Sequence, residues 1–135
     1  FLRKKVPLFA FKFSGYWNDI GTPHTYLKAH QDLLQVKNRW THLGNLRKRK
    51  VLKGPKSSIS SSVNLEGNVV IGRHVRIGKG STLSNCIIMD GTRIGENVQI
   101  SGGIVGPGCN IAAHCVVSAG SVIGEGSRLT AYTRS

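Results

Sequence analysis

From Ile59 onward an aliphatic residue returns every six positions: Ile59, Leu65, Ile71, Ile77 and Leu83. The count slips by one to Ile88, Ile94 and Ile100, then slips again to Val105, Ile111, Val117, Ile123 and Leu129. The position four further on is small or β-branched throughout: Val63, Val69, Val75, Ser81, Ile87, Thr92, Val98, Ile104, Cys109, Cys115, Ser121, Ser127 and Thr133. A short strand, a tight corner and another short strand give a period of six. Three such strands close one triangular coil of about 18 residues. Each hexad's aliphatic then points inward and stacks on its counterpart one coil away, about 4.8 Å along the axis. The fourth-on residue also faces in beside the corner, where only a compact side chain fits. The expected stacks are Ile59, Ile77, Ile94, Ile111 and Leu129; Leu65, Leu83, Ile100 and Val117; and Ile71, Ile88, Val105 and Ile123. Glycine clusters just after the aliphatic, as at Gly72, Gly78, Gly95 and Gly124, where it is expected to relieve φ/ψ strain at the turns. The expected fold over residues 59–135 is mainly β, a parallel β-helix solenoid of a little over four coils.

The charge lies elsewhere. Nineteen Lys and Arg stand against six Asp and Glu, for a net +13. Residues 1–56 hold 13 of those cations with only Asp19 and Asp32, whereas residues 57–135 hold six against four acids. That division argues against one uniformly basic nucleic-acid module. No apolar run approaches the roughly 18–20 residues of a membrane helix, so no membrane partner is expected. The three cysteines (Cys86, Cys109, Cys115) cannot pair completely and fit no zinc spacing, which points to a reducing, cytoplasmic compartment. The chain begins at Phe1 and its only methionine is Met89, so it reads as a piece of something longer.

Residues 8–13 (LFAFKF) alternate loosely and read as a strand. They run into Gly15-Tyr16-Trp17-Asn18-Asp19-Ile20-Gly21-Thr22-Pro23. Thr22 is a good helix N-cap and Pro23 a good first helical residue. Tyr26, Leu27, His30, Leu33 and Leu34 recur at helical spacing, predicting a helix over residues 23–36. The basic stretch 37–58, containing Arg47-Lys48-Arg49-Lys50, reads as a linker. One strand and one helix cannot bury a core alone; they read as the last elements of a larger domain.

The run GYWNDIGTPHTYLKAHQDLL, residues 15–34, resembles the closing motif of sugar-1-phosphate nucleotidylyltransferases, in the mannose-1-phosphate guanylyltransferase and glucose-1-phosphate nucleotidylyltransferase branches. Those enzymes carry a W-x-D-x-G-T-P segment followed by a helix, and many append a hexapeptide β-helix after a linker. The hexad itself resembles the hexapeptide family, whose coils wind left-handed, and the left-handed sense is taken from that resemblance. The implied organisation is residues 1–36 as the end of an α/β nucleotidyltransferase domain, 37–58 as basic linker and 59–135 as β-helix. The family's Gly-rich phosphate loop and catalytic lysine do not occur in these 135 residues. The chain alone is therefore expected not to turn over substrate, and no catalytic residue is assigned within it.

The resemblance implies that the parent protein joins an NTP to a sugar 1-phosphate with Mg²⁺, and that the β-helix serves homo-oligomerisation or regulation. It makes Asp19 a Mg²⁺ ligand; spacing alone would make it a turn aspartate. It places Gly21 and Thr22 near the sugar phosphate, although a helix cap accounts for Thr22. Trp17 would line the sugar pocket or belong to the core. A second reading is a hexapeptide acyltransferase using acetyl-CoA, with His114 or His74 as base. Both are fourth in their hexads and belong to different faces, and the coils carry no inserted loop, so solvated corner histidines are preferred. A third reading is a non-catalytic scaffold that engages an acidic partner through residues 47–50.

Overall fold

The computed structural model describes residues 7, 9–35 and 51–135. Among them, 14 short strands, β1 to β14 in chain order, are dealt in turn to three parallel sheets. Sheet A takes β1 (Val51–Lys53), β4 (Val69–Ile71), β7 (Ile87–Ile88), β10 (Ile104–Val105) and β13 (Val122–Ile123). Sheet B takes β2 (Ser58–Ile59), β5 (Arg76–Ile77), β8 (Arg93–Ile94), β11 (Asn110–Ile111) and β14 (Arg128–Leu129). Sheet C takes β3 (Asn64–Glu66), β6 (Thr82–Ser84), β9 (Gln99–Ser101) and β12 (Val116–Val117), and a bridge from Val116 to Arg134 extends it. This is a parallel β-solenoid of nearly five coils, and all three expected stacks are present as direct pairs, such as Ile59 with Ile77 and Leu83 with Ile100.

Successive rungs of sheet B, Ile59, Ile77, Ile94, Ile111 and Leu129, are separated by 18, 17, 17 and 18 residues. Both one-residue slips fall in the same corner, between sheets C and A, after β6 and after β9. The shortening shifts the slots that follow it. Ile87 pairs with Val70 and Ile104 pairs with Val122, so both isoleucines take the outward register and not the inward one expected for them. Cys86 fills the inward slot before β7 and Gly103 the one before β10, and both are buried.

Strand β1 lies inside the stretch read as linker. Its residues Val51, Leu52 and Lys53 pair with Val69, Val70 and Ile71. Lys53 occupies the position where the hexad marker would be aliphatic, which hid the strand from a count of aliphatics. Residues 36–50, including the linker's Arg47-Lys48-Arg49-Lys50 run, lie outside the described residues.

The core is one column of buried side chains from Val69 to Ile123, flanked by Val51, Ile59, Leu65 and Leu129 at the two ends. Small polar groups in the corner slots staple one coil to the next. Ser81 Oγ donates to the Gly95 carbonyl at 2.9 Å and accepts from the Val98 N–H at 3.1 Å. Thr92 Oγ1 donates to the Gly106 carbonyl at 2.8 Å. The Cys109 and Cys115 thiols donate in the same way to the carbonyls of Gly124 and Thr130. A hydroxyl or thiol there satisfies a carbonyl that the turn leaves without a ladder partner.

The glycines after the aliphatic answer a different need from the one expected. A Cβ on Gly95 would sit 2.7 Å from the Ala113 backbone nitrogen, and one on Gly78 2.6 Å from the Gly95 carbonyl oxygen. Gly72, Gly78 and Gly95 are glycine because the next coil lies directly against them, whereas a Cβ on Gly124 would meet only Ser127 Oγ at 3.8 Å. The left-handed backbone falls later in the corner, at His74 (φ 56°), Asn97 (φ 54°) and His114 (φ 63°) among others.

Helix α1 spans Pro23–Gln35, close to the expected 23–36. Of the strand expected over residues 8–13, the described residues 9–13 form none: they carry no ladder, and Phe9 and Phe11 are more than nine-tenths exposed. A strand needs an edge to pair with, and no strand among the described residues pairs with this one.

Candidate functional site

The segment from Gly15 to Pro23 is built by local polar contacts. The Asp19 carboxylate accepts the Gly21 N–H at 3.1 Å, the turn that its spacing suggests. Thr22 then caps α1: its Oγ1 accepts the Thr25 N–H at 3.2 Å, while Thr25 Oγ1 accepts the Thr22 N–H at 3.1 Å. This reciprocal pair is a capping box with threonine in place of the usual glutamate. Tyr16 ties the segment to the helix, its hydroxyl donating to Asp32 Oδ2 at 3.0 Å. Lys28 pairs with the same carboxylate at 3.0 Å, and these contacts, Lys28 foremost, hold the Asp32 carboxyl below its ordinary range.

Helix α1 lies beside the corner between sheets C and A, next to Ile104 of sheet A. Between them is a cleft of about 750 Å³, lined by Thr22, Pro23 and Leu27 on the helix side and by Asn85, Ile104 and Ser121 on the solenoid side. Of the sequence-predicted site residues, the structure brings Thr22 to this cleft. Asp19, Gly21 and Trp17 do not line it. Asp19 and Gly21 are exposed, and Trp17 is 76% exposed, so Trp17 is not a core residue among the described ones.

Among the described residues no group of three or more His, Cys, Asp or Glu could hold a metal. Mg²⁺ does not require such a group, since it binds through one or two carboxylates together with substrate phosphates and water. Asp19, oriented through one oxygen by the Gly21 amide and otherwise open to solvent, fits that limited role.

His74 and His114 stand on different corners, between sheets A and B and between sheets B and C respectively. Both are exposed. His114 stacks on Tyr132 one coil further on, ring centroids 4.8 Å apart and planes 5° apart. No hydrogen bond among the described residues engages either imidazole side chain, so nothing orients one as a base.

The hexad count did not show that the three outer faces differ in chemistry. Sheet A is apolar outside, with Leu52, Val70, Ile87, Ile104 and Val122 in one row. Sheet B carries Ser58, Arg76, Arg93, Asn110 and Arg128. Sheet C carries Asn64, Thr82, Gln99 and Val116. The signal was present at the residue just before each inward aliphatic, a slot that becomes informative once the register is known.

A hexapeptide-repeat solenoid with a capped helix beside one corner defines the class. Residues 47–133 match the GMPPB C-terminal domain model, and the chain belongs to that family, a C-terminal region of sugar-1-phosphate nucleotidylyltransferases. It is 32% identical over 128 residues to a glucose-1-phosphate adenylyltransferase of Corynebacterium jeikeium, covering 82% of this chain and 30% of that protein. A second glucose-1-phosphate adenylyltransferase, from Desulforamulus reducens, is 31% identical over 125 residues, covering 80% and 31%. The chain thus spans about a third of the length of these curated relatives. A solved perosamine N-acetyltransferase mutant from Caulobacter crescentus, in complex with CoA and GDP-perosamine, shares the fold. Its TM-score is 0.53 and its identity 18%, over 62% of this chain and 50% of that one.

Proposed function

We propose that the chain is the C-terminal part of an enzyme that makes a nucleotide sugar from an NTP and a sugar 1-phosphate. A sugar phosphate oxygen attacks the α-phosphorus of the NTP, forming the new P–O bond as the bond to pyrophosphate breaks. The observation that carries this reading is the order of parts: a W-N-D-I-G-T-P segment leads into capped helix α1, which rests on the hexapeptide solenoid, and the relatives above are glucose-1-phosphate adenylyltransferases. Asp19 would supply one oxygen to Mg²⁺, which neutralises phosphate charge when bound. Gly21 and Thr22 would lie beside the sugar phosphate and Trp17 beside the sugar. The solenoid would act as an oligomerisation or regulatory module, since burying open coil ends and flat faces against another copy is the usual solution. Three buried free thiols suit a reducing compartment, and no helix among the described residues is long and apolar enough to cross a membrane.

The test is pyrophosphate release from NTP, sugar 1-phosphate and Mg²⁺ by the polypeptide in which this chain follows its upstream coding sequence. Turnover that falls about 100-fold or more in Asp19→Asn, with unchanged thermal stability, supports the reading. Full activity in Asp19→Asn removes Asp19 from it. Thiol release from acetyl-CoA, abolished by His114→Ala or His74→Ala, would instead establish the acyltransferase.

A further inference from the structure

The outer row of sheet B is Ser58, Arg76, Arg93, Asn110 and Arg128, each paired to the next across a ladder rung and each exposed. Arg76 and Arg93 stand directly opposite one another, about 4.8 Å apart along the axis. Like charges in that relation are destabilising. The flanking corners join the same two coils differently. Arg73 pairs with Asp90 at 2.8 Å on one side, and Lys79 with Glu96 at 3.6 Å on the other. Each corner cation therefore meets a carboxylate 17 residues on, and only the middle of the face meets a second arginine. All six carboxylate residues of the chain, Asp19, Asp32, Glu66, Asp90, Glu96 and Glu125, are among the described residues. No ion pair among those residues engages Arg76, Arg93 or Arg128. Among the described residues the outer row of sheet A carries no cation and that of sheet C only Arg134, so the arginine series is confined to one face.

We propose that this face of sheet B is a docking surface for an acidic, extended polypeptide segment of a partner, lying along the solenoid axis. The inference goes beyond the nucleotidylyltransferase reading and does not depend on it. Guanidinium groups grip carboxylates through two parallel N–H···O bonds, and Arg76 and Arg93 are close enough to share one carboxylate. An extended chain presents side chains on one face about every 6.8 Å, so an acid about four residues further along reaches Arg128, with Asn110 between them. The row has no aromatic on which bases would stack, which favours a peptide over a single-stranded nucleic acid. A second copy of the same face is excluded as occupant by its own charge.

The probe is a fluorescein-labelled deca-glutamate peptide, titrated against the full chain at low ionic strength. Arg76→Gln with Arg93→Gln is expected to weaken binding at least about tenfold. Arg47→Gln with Lys48→Gln, which removes the same charge from the other basic run, is expected to weaken it less than about threefold. Equal losses in the two double variants would mean general charge attraction and overturn the proposal. Arg93→Glu recreates opposite Arg76 the pairing seen at Arg73 and Asp90, and is expected to raise Tm by roughly 1–3 °C while abolishing binding. Retained binding by Arg93→Glu overturns the proposal. So does a single-stranded oligonucleotide that binds more tightly than the peptide and is released by the same double variant.

Discussion

Ile87 pairs directly with Ile104 across β7 and β10, and both side chains point away from the solenoid interior, yet they are only 3% and 5% exposed. Their neighbours Ile88 and Val105 belong to the central core and they do not. The outer face of sheet A is thus a second apolar surface, and helix α1 shares a cleft with Ile104 on it. Ile104→Ala is expected to cost about 2–4 kcal/mol in urea unfolding. Val122→Ala, on the same row but half exposed, should cost under about 1 kcal/mol. Equal effects would mean that the row is not covered at its centre.

The close stacking of coils makes neighbouring glycines unequal. In Gly95→Ala the new methyl meets the Ala113 backbone at 2.7 Å, and rigid ladders on both sides leave it no room. The expected loss is about 3 kcal/mol or more. In Gly124→Ala the nearest atom is Ser127 Oγ at 3.8 Å, and the change should stay within about 0.5 kcal/mol. Thermal unfolding of the two single variants separates coil contact from backbone strain as the reason for glycine at this position.

Asp90 gives the fold an acid-sensitive joint. The Arg73 N–H at 2.7 Å, and then its guanidinium, hold the Asp90 carboxyl below the ordinary carboxylate range. A group with a lowered native pKa binds its proton less readily in the folded state than in the unfolded one. Its stabilisation is present above the unfolded value, near 4, and is lost as pH falls through the native value. The urea midpoint should therefore fall with acidification below about pH 4.5, and this limb should be shallower in Asp90→Asn. An unchanged acid limb in that variant would contradict the assignment.

The three cysteines should be silent in the native protein. Cys86, Cys109 and Cys115 are all buried and unpaired, and burial pushes the Cys86 thiol up to about 12. Since the thiolate is the reactive form, a thiol reagent near pH 8 is expected to label none of them before unfolding and all three afterwards. Rapid native labelling at Cys86 would mean that the corner between sheets C and A opens.

The sequence carried the solenoid because one side chain in six must fill the same column, and a lone charged residue or a shortened corner barely disturbs that count. It did not carry what depends on the register. Ile87 and Ile104 fit the small inward slot by arithmetic, and only the 17-residue coils show that they face out. Strand β1 was missed because Lys53 stands on the aliphatic position at the open end of the column. At the other end of the chain, Thr22 and Pro23 announced the helix through capping chemistry, which is local. The role of Asp19 is not local. Its turn with Gly21 was legible from spacing, whereas any metal it holds depends on groups that other parts of a longer protein would supply.

The coding sequence immediately upstream of Phe1 tests the central claim most directly. An open reading frame carrying a Gly-rich phosphate loop and its lysine is the result expected of the C-terminal part of a sugar-1-phosphate nucleotidylyltransferase. A stop codon just before Phe1 would contradict it, and the solenoid would then have to act alone.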